Sequence, residues 1–465
     1  MRNVLICLAL FAASLSAQAA PTGVTLPEFQ RVTLANGAEL ALLEKHDVPM
    51  ISLMIAVRGG PLGDPQDKEG TAFLLAELMS KGAGERDARQ FAETVDGLGG
   101  RLGIGTDAEM LRLSADFLAR DRARMVELAA DALLHPHLDA AEFDKVRTRT
   151  IRSLIAAKDG DPSGLLGAYA AAWLFGEHPY GRPDSGSEAS LGRITLDDVK
   201  GYYADQLGGD RLIIVAVGDF KADEMRGELD RAFGDWRAAA RPLPEVAAAP
   251  KQTGRRVLLV DKPGATQTYF WLGNVGVARN HDNRAAQNLV NTLFGGRFTS
   301  MLNTALRVES GLSYGARSSL SRLSTPGSAA ITSFTQTDST VAAIDLAIAQ
   351  LEKLHAQPFD DAALDSARRY VLGQFPPTLE THGQLASRLV DLIFHRLGRE
   401  DVDGYAAAIA AADADAIARA VAVYPGAADL VITLIGDASK IREQVAKYGP
   451  LTEMPMSAPD FHPPR

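Results

Sequence analysis

The chain repeats itself, and this internal repeat limits its possible folds more than any single motif. The stretch RLIIVAVGDF returns as DLVITLIGDA, which places Gly218 and Gly436 218 residues apart. The stretch AAEFDKVRTRTIRSL returns as DAALDSARRYVLGQF, in which Asp144 matches Asp365 at an offset of 221. Apolar strands that end in Gly-Asp also recur by chance, but two matched segments at nearly one offset favour a tandem duplication. A length of 465 residues suits two domains.

Each half has the pattern of an α+β unit, with a mainly antiparallel sheet and helices packed on one face. Asn36-Gly37 lies between two apolar runs and predicts a two-residue hairpin turn. Residues 69–81 have apolar groups on nearly every side, which predicts a buried helix. The segment 237–256 is rich in Ala and Pro and predicts an extended linker. The predicted organisation is a signal peptide at 1–20, a first domain at 21–236, the linker at 237–256, a homologous second domain at 257–450 and a tail at 451–465.

The N-terminus has the pattern of a cleavable secretory signal peptide. A basic Arg2 precedes an apolar run that ends at Leu15, and Ala17-Gln18-Ala19 forms a small-residue exit. The run is too short to span a bilayer stably. Cys7, the single cysteine, lies inside it, so the mature chain is expected to have no disulfide, thiolate ligand or thiol nucleophile. Export without disulfides predicts a periplasmic protein, and secretion further out stays open as an alternative.

The formal net charge of the chain limits the classes of molecule that it is expected to bind. The formal net charge is −10, and cleavage after residue 20 removes one arginine and leaves −11. An acidic surface of this size argues against nucleic acid and against anionic membranes as partners. The later sequence has no apolar stretch of transmembrane length, so no membrane span is predicted.

Two stretches carry a family resemblance that covers essentially the whole mature chain. VTLANGAELALLEKHDVPMISLMIAVRGGPLGDPQDKEGTAFLLAELMSKGAG resembles the opening of the pitrilysin/insulinase-type zinc peptidases, the inverzincins. LFGGRFTSMLNTALRVESGLSYGARSSL, residues 293–320, resembles the segment in their second half that contacts substrate. The resemblance implies two homologous domains joined by a linker, and halves that assemble around an enclosed peptide chamber.

The metal-binding motif of that family is missing from the buried helix. Active members carry H-x-x-E-H, in which two histidines hold Zn²⁺ and the glutamate activates the bound water. Counting back from Lys81-Gly82 places the histidine positions on Phe73 and Glu77 and the glutamate position on Ala76. A slip of one residue restores nothing, because no histidine occurs between His46 and His135.

A later helix supplies a further glutamate to the zinc in active members, and this position is also changed. The resemblance places it near Ser153 or Leu154, and neither side chain binds a hard cation well. We therefore expect no catalytic zinc site and no cofactor in this chain, with zinc in a partner subunit.

Other candidate ligands and nucleophiles have simpler interpretations. The cluster His135-Pro136-His137 with Asp139 and Glu142 is rich in ligand types, but a helix end, a proline break and an Asp-led new helix explain it better. Ser310 and Ser313 have no recognisable histidine and acid partners of a serine hydrolase.

The remaining histidines and the double glycine are also expected to be structural. Gly295-Gly296 predicts a backbone turn, because no Lys-Ser or Lys-Thr follows as in a phosphate loop. Seven histidines are predicted to be isolated residues on the surface or in loops, namely His46, His178, His281, His355, His382, His395 and His462.

Arg307 and Tyr314 are the candidate site residues. The segment from Gly296 predicts a helix through Arg307, followed by a strand that starts at Tyr314. The resemblance implies that both side chains contact substrate at a zinc site formed by another domain. A phenol can donate a hydrogen bond to a carbonyl oxygen as it becomes an oxyanion, and a guanidinium can hold a carbonyl or carboxylate. The alternative is a solvated helix-end charge at Arg307 and a core aromatic at Tyr314.

Three functions are compatible with this pattern. The first is a non-catalytic, substrate-contacting subunit of a periplasmic heterodimeric zinc metallopeptidase that degrades peptides. Arg307 and Tyr314 would then act in trans on a homologous partner that carries H-x-x-E-H. The second is a catalytically inactive peptide-binding or assembly protein of the same fold. The third is an enzyme with a relocated metal or with no metal.

Overall fold

A computed structural model describes residues 23–463 of the chain. The signal peptide predicted at 1–20 lies outside these residues. The strands are β1 (Gln30–Thr33), β2 (Glu39–Glu44), β3 (Met50–Arg58), β4 (Gly82–Ala83), β5 (Arg86–Asp87), β6 (Arg101–Asp107), β7 (Met110–Leu118), β8 (Leu212–Gly218), β9 (Arg256–Asp261), β10 (Gln267–Val275), β11 (Ala316–Arg322), β12 (Pro326–Gln336), β13 (Val431–Gly436) and β14 (Leu451–Pro455).

The helices alternate with these strands in both halves. The α-helices are α1 (Thr71–Met79), α2 (Ala88–Gly97), α3 (Arg122–Leu134), α4 (Ala140–Asp159), α5 (Leu166–Phe175), α6 (Glu188–Arg193), α7 (Leu196–Gln206), α8 (Ala222–Phe233), α9 (Arg284–Asn291), α10 (Met301–Asn303), α11 (Thr340–Ala356), α12 (Asp361–Gln374), α13 (His382–Phe394), α14 (Glu400–Asp403), α15 (Tyr405–Ala411), α16 (Ala414–Val421) and α17 (Ala438–Val445). Two π-helical segments, Thr292–Gly296 and Thr304–Glu309, extend α9 and α10. In the part of the chain described, no helix is both long and apolar enough to cross a membrane.

The two halves form two sheets with the same strand order, which confirms the predicted α+β fold with tandem homologous domains. The first sheet has the order β1-β2-β8-β3-β7-β6, and the second, taken from its other edge, has the order β14-β9-β13-β10-β12-β11. In each sheet the closing strand of the repeat, β8 or β13, runs parallel to the first long strand and antiparallel to the second. The helix pair of the repeat also corresponds, because Asp139 and Asp360 both accept backbone N–H bonds as N-caps.

The start of the segment predicted as a tail, Leu451–Pro455, is a strand of the second sheet. β14 pairs in parallel with β9 and fills the edge position that β1 fills in the first sheet. Phe461 is buried after it and contacts Tyr169 edge-to-face at 4.8 Å between ring centroids. Residues 237–255 of the predicted linker form neither helix nor strand. The second domain thus completes its sheet with its last residues rather than its first.

Each sheet is covered on both faces, and the second cover comes from the other half of the chain. Leu40 and Leu42 of β2 pack with the helices of their own half, whereas Ala41 and Leu43 pack against α13. The second sheet repeats this arrangement, because Leu258 and Val260 of β9 pack against α5 of the first half. The prediction of helices on one face therefore holds within each half only. Burial on both faces explains why β8 and β13 are apolar at almost every position.

The histidine prediction is wrong at His382, because α13 packs against the first sheet. His382, at the start of α13, is buried, and its Nε2 lies 3.0 Å from Asp47 Oδ1. His395, which follows α13, has a side chain only 10% exposed. The predicted Asn36-Gly37 turn does form a hairpin, with Leu34 and Ala38 hydrogen-bonded across a three-residue loop instead of a two-residue loop.

Candidate functional site

The buried helix α1 is anchored at its N-terminus by a carboxylate. Asp64 accepts hydrogen bonds from the Gly70 N–H at 2.7 Å and the Ala72 N–H at 2.8 Å. Gly70 adopts φ 96°, and a Cβ there would approach Gly186 Cα to 2.9 Å. Burial raises the pKa of the Asp64 carboxyl to about 8. The two amide donors act in the opposite direction and lower this pKa, because they stabilise the carboxylate anion. These contacts fix where each side chain of α1 points.

The three positions that the resemblance assigns to zinc ligands and to the catalytic glutamate have other contacts in this chain. Ala76 is fully buried in the core of the first half. Phe73 is half-buried and packs on the same core. Glu77 forms an ion pair with Arg149 of α4, whose side chain is 58% exposed. The helix therefore has two apolar side chains and one ion-paired carboxylate at positions where a metal site would need three polar groups.

Ser153 and Leu154, the two candidates for the position of the fourth group, face different surfaces. Phe73 and Leu154 line the same cavity of about 530 Å³, together with Trp271 and Phe461. Ser153 is exposed and faces a different surface groove on α4. Leu154, and not Ser153, thus shares a cavity with Phe73 of α1, and neither of these two side chains offers a metal ligand.

Histidine and acidic residues do not form a metal site elsewhere in residues 23–463. No group of three or more His, Cys, Asp or Glu side chains there has the proximity of metal ligands. His137 Nε2 lies 2.7 Å from the Gly84 carbonyl oxygen, and Pro136 forms a β-bridge with Ala83. The ligand-rich cluster at 135–142 therefore serves as a structural turn next to α4.

Arg307 and Tyr314 come together on the surface of the second half. The Arg307 Cζ lies 4.3 Å from the centroid of the Tyr314 ring and 4.9 Å from that of Phe298. Tyr314 is 74% exposed and Phe298 is 59% exposed. Within the described part of the chain, neither the guanidinium nor the phenol hydroxyl has a hydrogen bond or an ion pair. The pair is thus a preformed cation–π stack with its polar groups free.

The loop between the two residues is held by serine hydroxyls. Ser310 Oγ donates to the Ala305 carbonyl oxygen at 2.8 Å, and Ser313 Oγ donates to the Gly315 carbonyl oxygen at 2.9 Å. Gly311 between them adopts φ 65°. The predicted start of the helix is wrong, because helical structure begins at Met301 after an extended Arg297, and the strand begins at Ala316 rather than Tyr314. The two serines are therefore structural residues that position the stack.

A groove of about 920 Å³ runs beside the stack. Its wall includes Phe298, Gly315 and the double glycine Gly295-Gly296, and the first half contributes Asp161. A Cβ at Gly295 would lie 2.2 Å from the Ser318 nitrogen, so the double glycine is needed for close backbone packing. The predicted turn is wrong at this place, because Gly295 and Gly296 are the last residues of the π-helical segment Thr292–Gly296.

The sequence analysis did not predict several further polar residues of the groove wall, three of which have long side chains. Arg297, Arg317 and Tyr370 line it. Arg297 donates to Ser366 Oγ at 3.0 Å, while its Nε is buried without a partner. The signal for Arg297 was present in the GGRF motif, whereas Tyr370 lies on α12 and is brought there only by the fold. Phe73, Ala76 and Glu77 do not line this groove, so the stack and α1 do not form one site within the chain.

Family models match most of the chain. Residues 40–183 match the insulinase model (peptidase family M16), and residues 193–371 match the model described as the peptidase M16 inactive domain.

Similar proteins have related descriptions. An uncharacterized zinc protease of Mycobacterium leprae is 29% identical over 62% of this chain and 65% of its own length. A protein named non-peptidase homolog YmxG, from Helicobacter pylori, is 26% identical over 74% of this chain and 79% of its own length.

Solved structures share the fold. The peptidase M16 inactive domain from Pseudomonas fluorescens superposes with a TM-score of 0.82 at 20% identity, over 88% of this chain and 98% of its own. A protease from Helicobacter pylori gives a TM-score of 0.80 at 21% identity, over 88% of this chain and 100% of its own. With these two models matching residues in both halves, the chain belongs to the insulinase family of peptidases, family M16, and residues 193–371, which include much of the second half, match the family's inactive domain.

Proposed function

We propose that the chain is the non-catalytic subunit of a periplasmic heterodimeric zinc peptidase that degrades peptides. In this proposal Arg307 and Tyr314 complete the zinc site of a homologous partner that carries H-x-x-E-H. The observation that carries it is the exposed stack of these two side chains, whose donors have no acceptor in the described chain.

The surroundings of the stack support a role at an interface. Phe298, Val308 at 61% exposure and Tyr314 together expose apolar surface around one cation. Exposed apolar surface of this kind is typical of binding sites. The adjoining groove of about 920 Å³ has room for several peptide residues. The changes at Phe73, Ala76 and Glu77 support the view that zinc comes from the partner.

A second candidate function is a peptide-binding protein without catalysis. The groove favours it, because both halves of one chain contribute to its wall through Asp161 and Gly315. A relative whose printed name is non-peptidase homolog is compatible with either function.

The test is co-expression with an exported homologue that carries H-x-x-E-H, followed by a peptide-cleavage assay on the purified complex. Tyr314→Phe should leave assembly intact and lower kcat by ~10²-fold or more, the usual scale for an oxyanion donor. Arg307→Ala should act mainly on KM, because a positioning contact is made in both the ground and the transition state.

Two control variants separate this effect from general damage. Tyr203→Phe also removes one hydroxyl, which donates to the Leu133 and Leu134 carbonyl oxygens in the first half. Arg120→Ala removes an arginine that is 78% exposed. Both should keep wild-type turnover. Wild-type turnover of an assembled Tyr314→Phe complex would exclude the proposal, and peptide binding by the isolated chain without any effect on a partner would favour the second function.

A further inference from the structure

A second interdomain cavity, of about 590 Å³, is surrounded by arginines. It lies where the tip of the β6–β7 hairpin meets α13 and the second half, and it shares no wall residue with the groove beside Tyr314. The arginines in its wall are Arg112, Arg279, Arg284, Arg322 and Arg388. Such a concentration is unusual for a chain whose net charge is −10.

The carboxylates near the cavity do not balance these arginines. Three of them, Asp107, Glu109 and Asp391, are in the wall, and Asp401 lies behind it. His395 also lines the cavity, and burial lowers its pKa, so its imidazole is neutral near pH 7. Five guanidiniums thus face four carboxylates, which leaves one positive charge in excess.

The excess charge is located at Arg322. Arg279 binds Asp391 and Asp401, Arg284 pairs with Asp401, and Arg112 donates to Asp107 at 3.0 Å. Arg388 also has a carboxylate partner, because its Nη1 lies 3.5 Å from Asp391 Oδ2. Arg322, by contrast, has no carboxylate within the described residues.

The surroundings of Arg322 make an anion favourable there. Its Nε donates to Gln287 Oε1 and its Nη2 donates to Asn288 Oδ1, each at 3.0 Å, while its Nη1 has no hydrogen bond in residues 23–463. Burial and the neighbouring Arg284 and Arg279 guanidiniums lower the pKa of Arg322 to about 10, so it stays charged at pH 7. A cation held in this way is stabilised by any anion that reaches it.

A second donor near the cavity also lacks an acceptor. The Nε of Arg112 is buried without a hydrogen-bond partner, although its Nη2 is paired. Buried donors without an acceptor are rare in proteins and cost free energy. Thr378 and Ser387 add hydroxyls to the wall, and Ala108 and Leu323 add apolar surface.

We propose that this cavity binds the carboxylate of a small organic acid or of a peptide C-terminus. One carboxylate carries the single negative charge that balances the excess, and its two oxygens match the planar donor fork of an arginine. The apolar part of the wall takes the rest of the ligand. This site does not depend on the proposed function, because Arg307 and Tyr314 are not in its wall.

The test uses a matched pair of probes on the full mature chain at constant ionic strength. N-acetylalanine has the carboxylate, and N-acetylalanine amide has the same shape without the charge. In calorimetric titrations we expect saturable binding of the acid and binding of the amide that is ~10-fold weaker or worse. N-acetyl-trialanine forms the second arm. Tighter binding than N-acetylalanine identifies a peptide C-terminus, and equal or weaker binding identifies a free small acid.

Variants tie this binding to the cavity. Arg322→Gln should weaken binding of the acid ~10-fold or more, and Arg112→Gln, at a side chain 35% exposed, should weaken it in the same direction. Arg120→Gln, at an exposed arginine outside the cavity, should bind as the wild type does. If Arg322→Gln does not fold, the affinity of Arg112→Gln for N-acetylalanine decides whether the cavity is the binding site. Absence of saturable binding, equal binding of acid and amide, or full binding by the cavity variants would each overturn the proposal.

Discussion

Putting the zinc ligands back into α1 is expected to damage the fold without creating a metal site. The triple variant Phe73→His, Ala76→Glu and Glu77→His rebuilds H-x-x-E-H. Leu154 remains at the position of the fourth group, facing the same cavity as residue 73. The variant should therefore bind no stoichiometric zinc after dialysis.

The loss of stability can be worked out position by position. Ala76 is 0% exposed, so a glutamate there buries a carboxyl without a partner, at about 1–3 kcal/mol, and overpacks the core, at about 1–3 kcal/mol. Phe73 is half-buried, and its loss costs about 1 kcal/mol of apolar burial. The ion pair of Glu77 with a largely exposed Arg149 contributes about 0.5 kcal/mol or less. The total is roughly 3–7 kcal/mol, and most of it comes from position 76.

Denaturant titration followed by circular dichroism measures this loss as a lower transition midpoint. The single variant Ala76→Glu should account for most of the change, and Glu77→His should shift the midpoint little. A triple variant as stable as the parent, or an Ala76→Glu variant less affected than Glu77→His, would refute the described packing of α1. Chelator-sensitive peptide cleavage by the triple variant would refute the role given to Leu154.

Three further predictions concern the core, pH and metal. Leu389→Ala, at a fully buried residue of α13, should lower the free energy of unfolding by about 2–5 kcal/mol in a transition shared by both halves, whereas Leu243→Ala, at 44% exposure, should change it by about 0.5 kcal/mol or less. Burial lowers the pKa of the His395 imidazole below its ordinary value of 6.5. The stability that the neutral buried imidazole allows is therefore complete above pH 6.5, and it is lost as the pH falls through the lowered pKa. Between about pH 7.5 and 5.5 the wild type should thus lose more stability than His395→Gln, and equal slopes in denaturant titrations would contradict this. The dialysed mature chain should contain no stoichiometric zinc by elemental analysis, and one retained equivalent would contradict the reading of Phe73, Ala76 and Glu77.

The sequence was sufficient for those parts of the fold that depend on local pattern. The repeat predicted two equivalent sheets, and the apolar run of 212–218 is a strand buried on both faces, as such runs indicate. The sequence LGAYAAAWLF of α5 is apolar on all sides and indicates a buried helix, but no local signal says which sheet buries it. The pairing of β14 with β9 joins segments nearly 200 residues apart, so it too follows only from the tertiary fold.

Some features of the candidate site could also be predicted from the sequence, whereas others needed the tertiary structure. The motif around Arg307 and Tyr314 singled out two residues that the fold brings together, and the exposure of Tyr314 excludes the alternative of a core aromatic. The stacking of Phe298 on the arginine and the choice of Leu154 over Ser153 needed side-chain positions. The sequence pattern therefore selected the residues, and their contacts followed only from the tertiary structure.

The reciprocal packing of α5 and α13 opposes a hinge motion between the two halves within residues 23–463. Separating its halves would pull both helices from their sheets at once and expose side chains such as Leu385, Leu389 and Ile393 of α13. Each such leucine or isoleucine costs about 1.5–3 kcal/mol to expose, so three of them approach the whole stability of an ordinary domain. We therefore expect the two halves to move together, so that a change in access to the groove beside Tyr314 requires a second molecule rather than a separation of the halves.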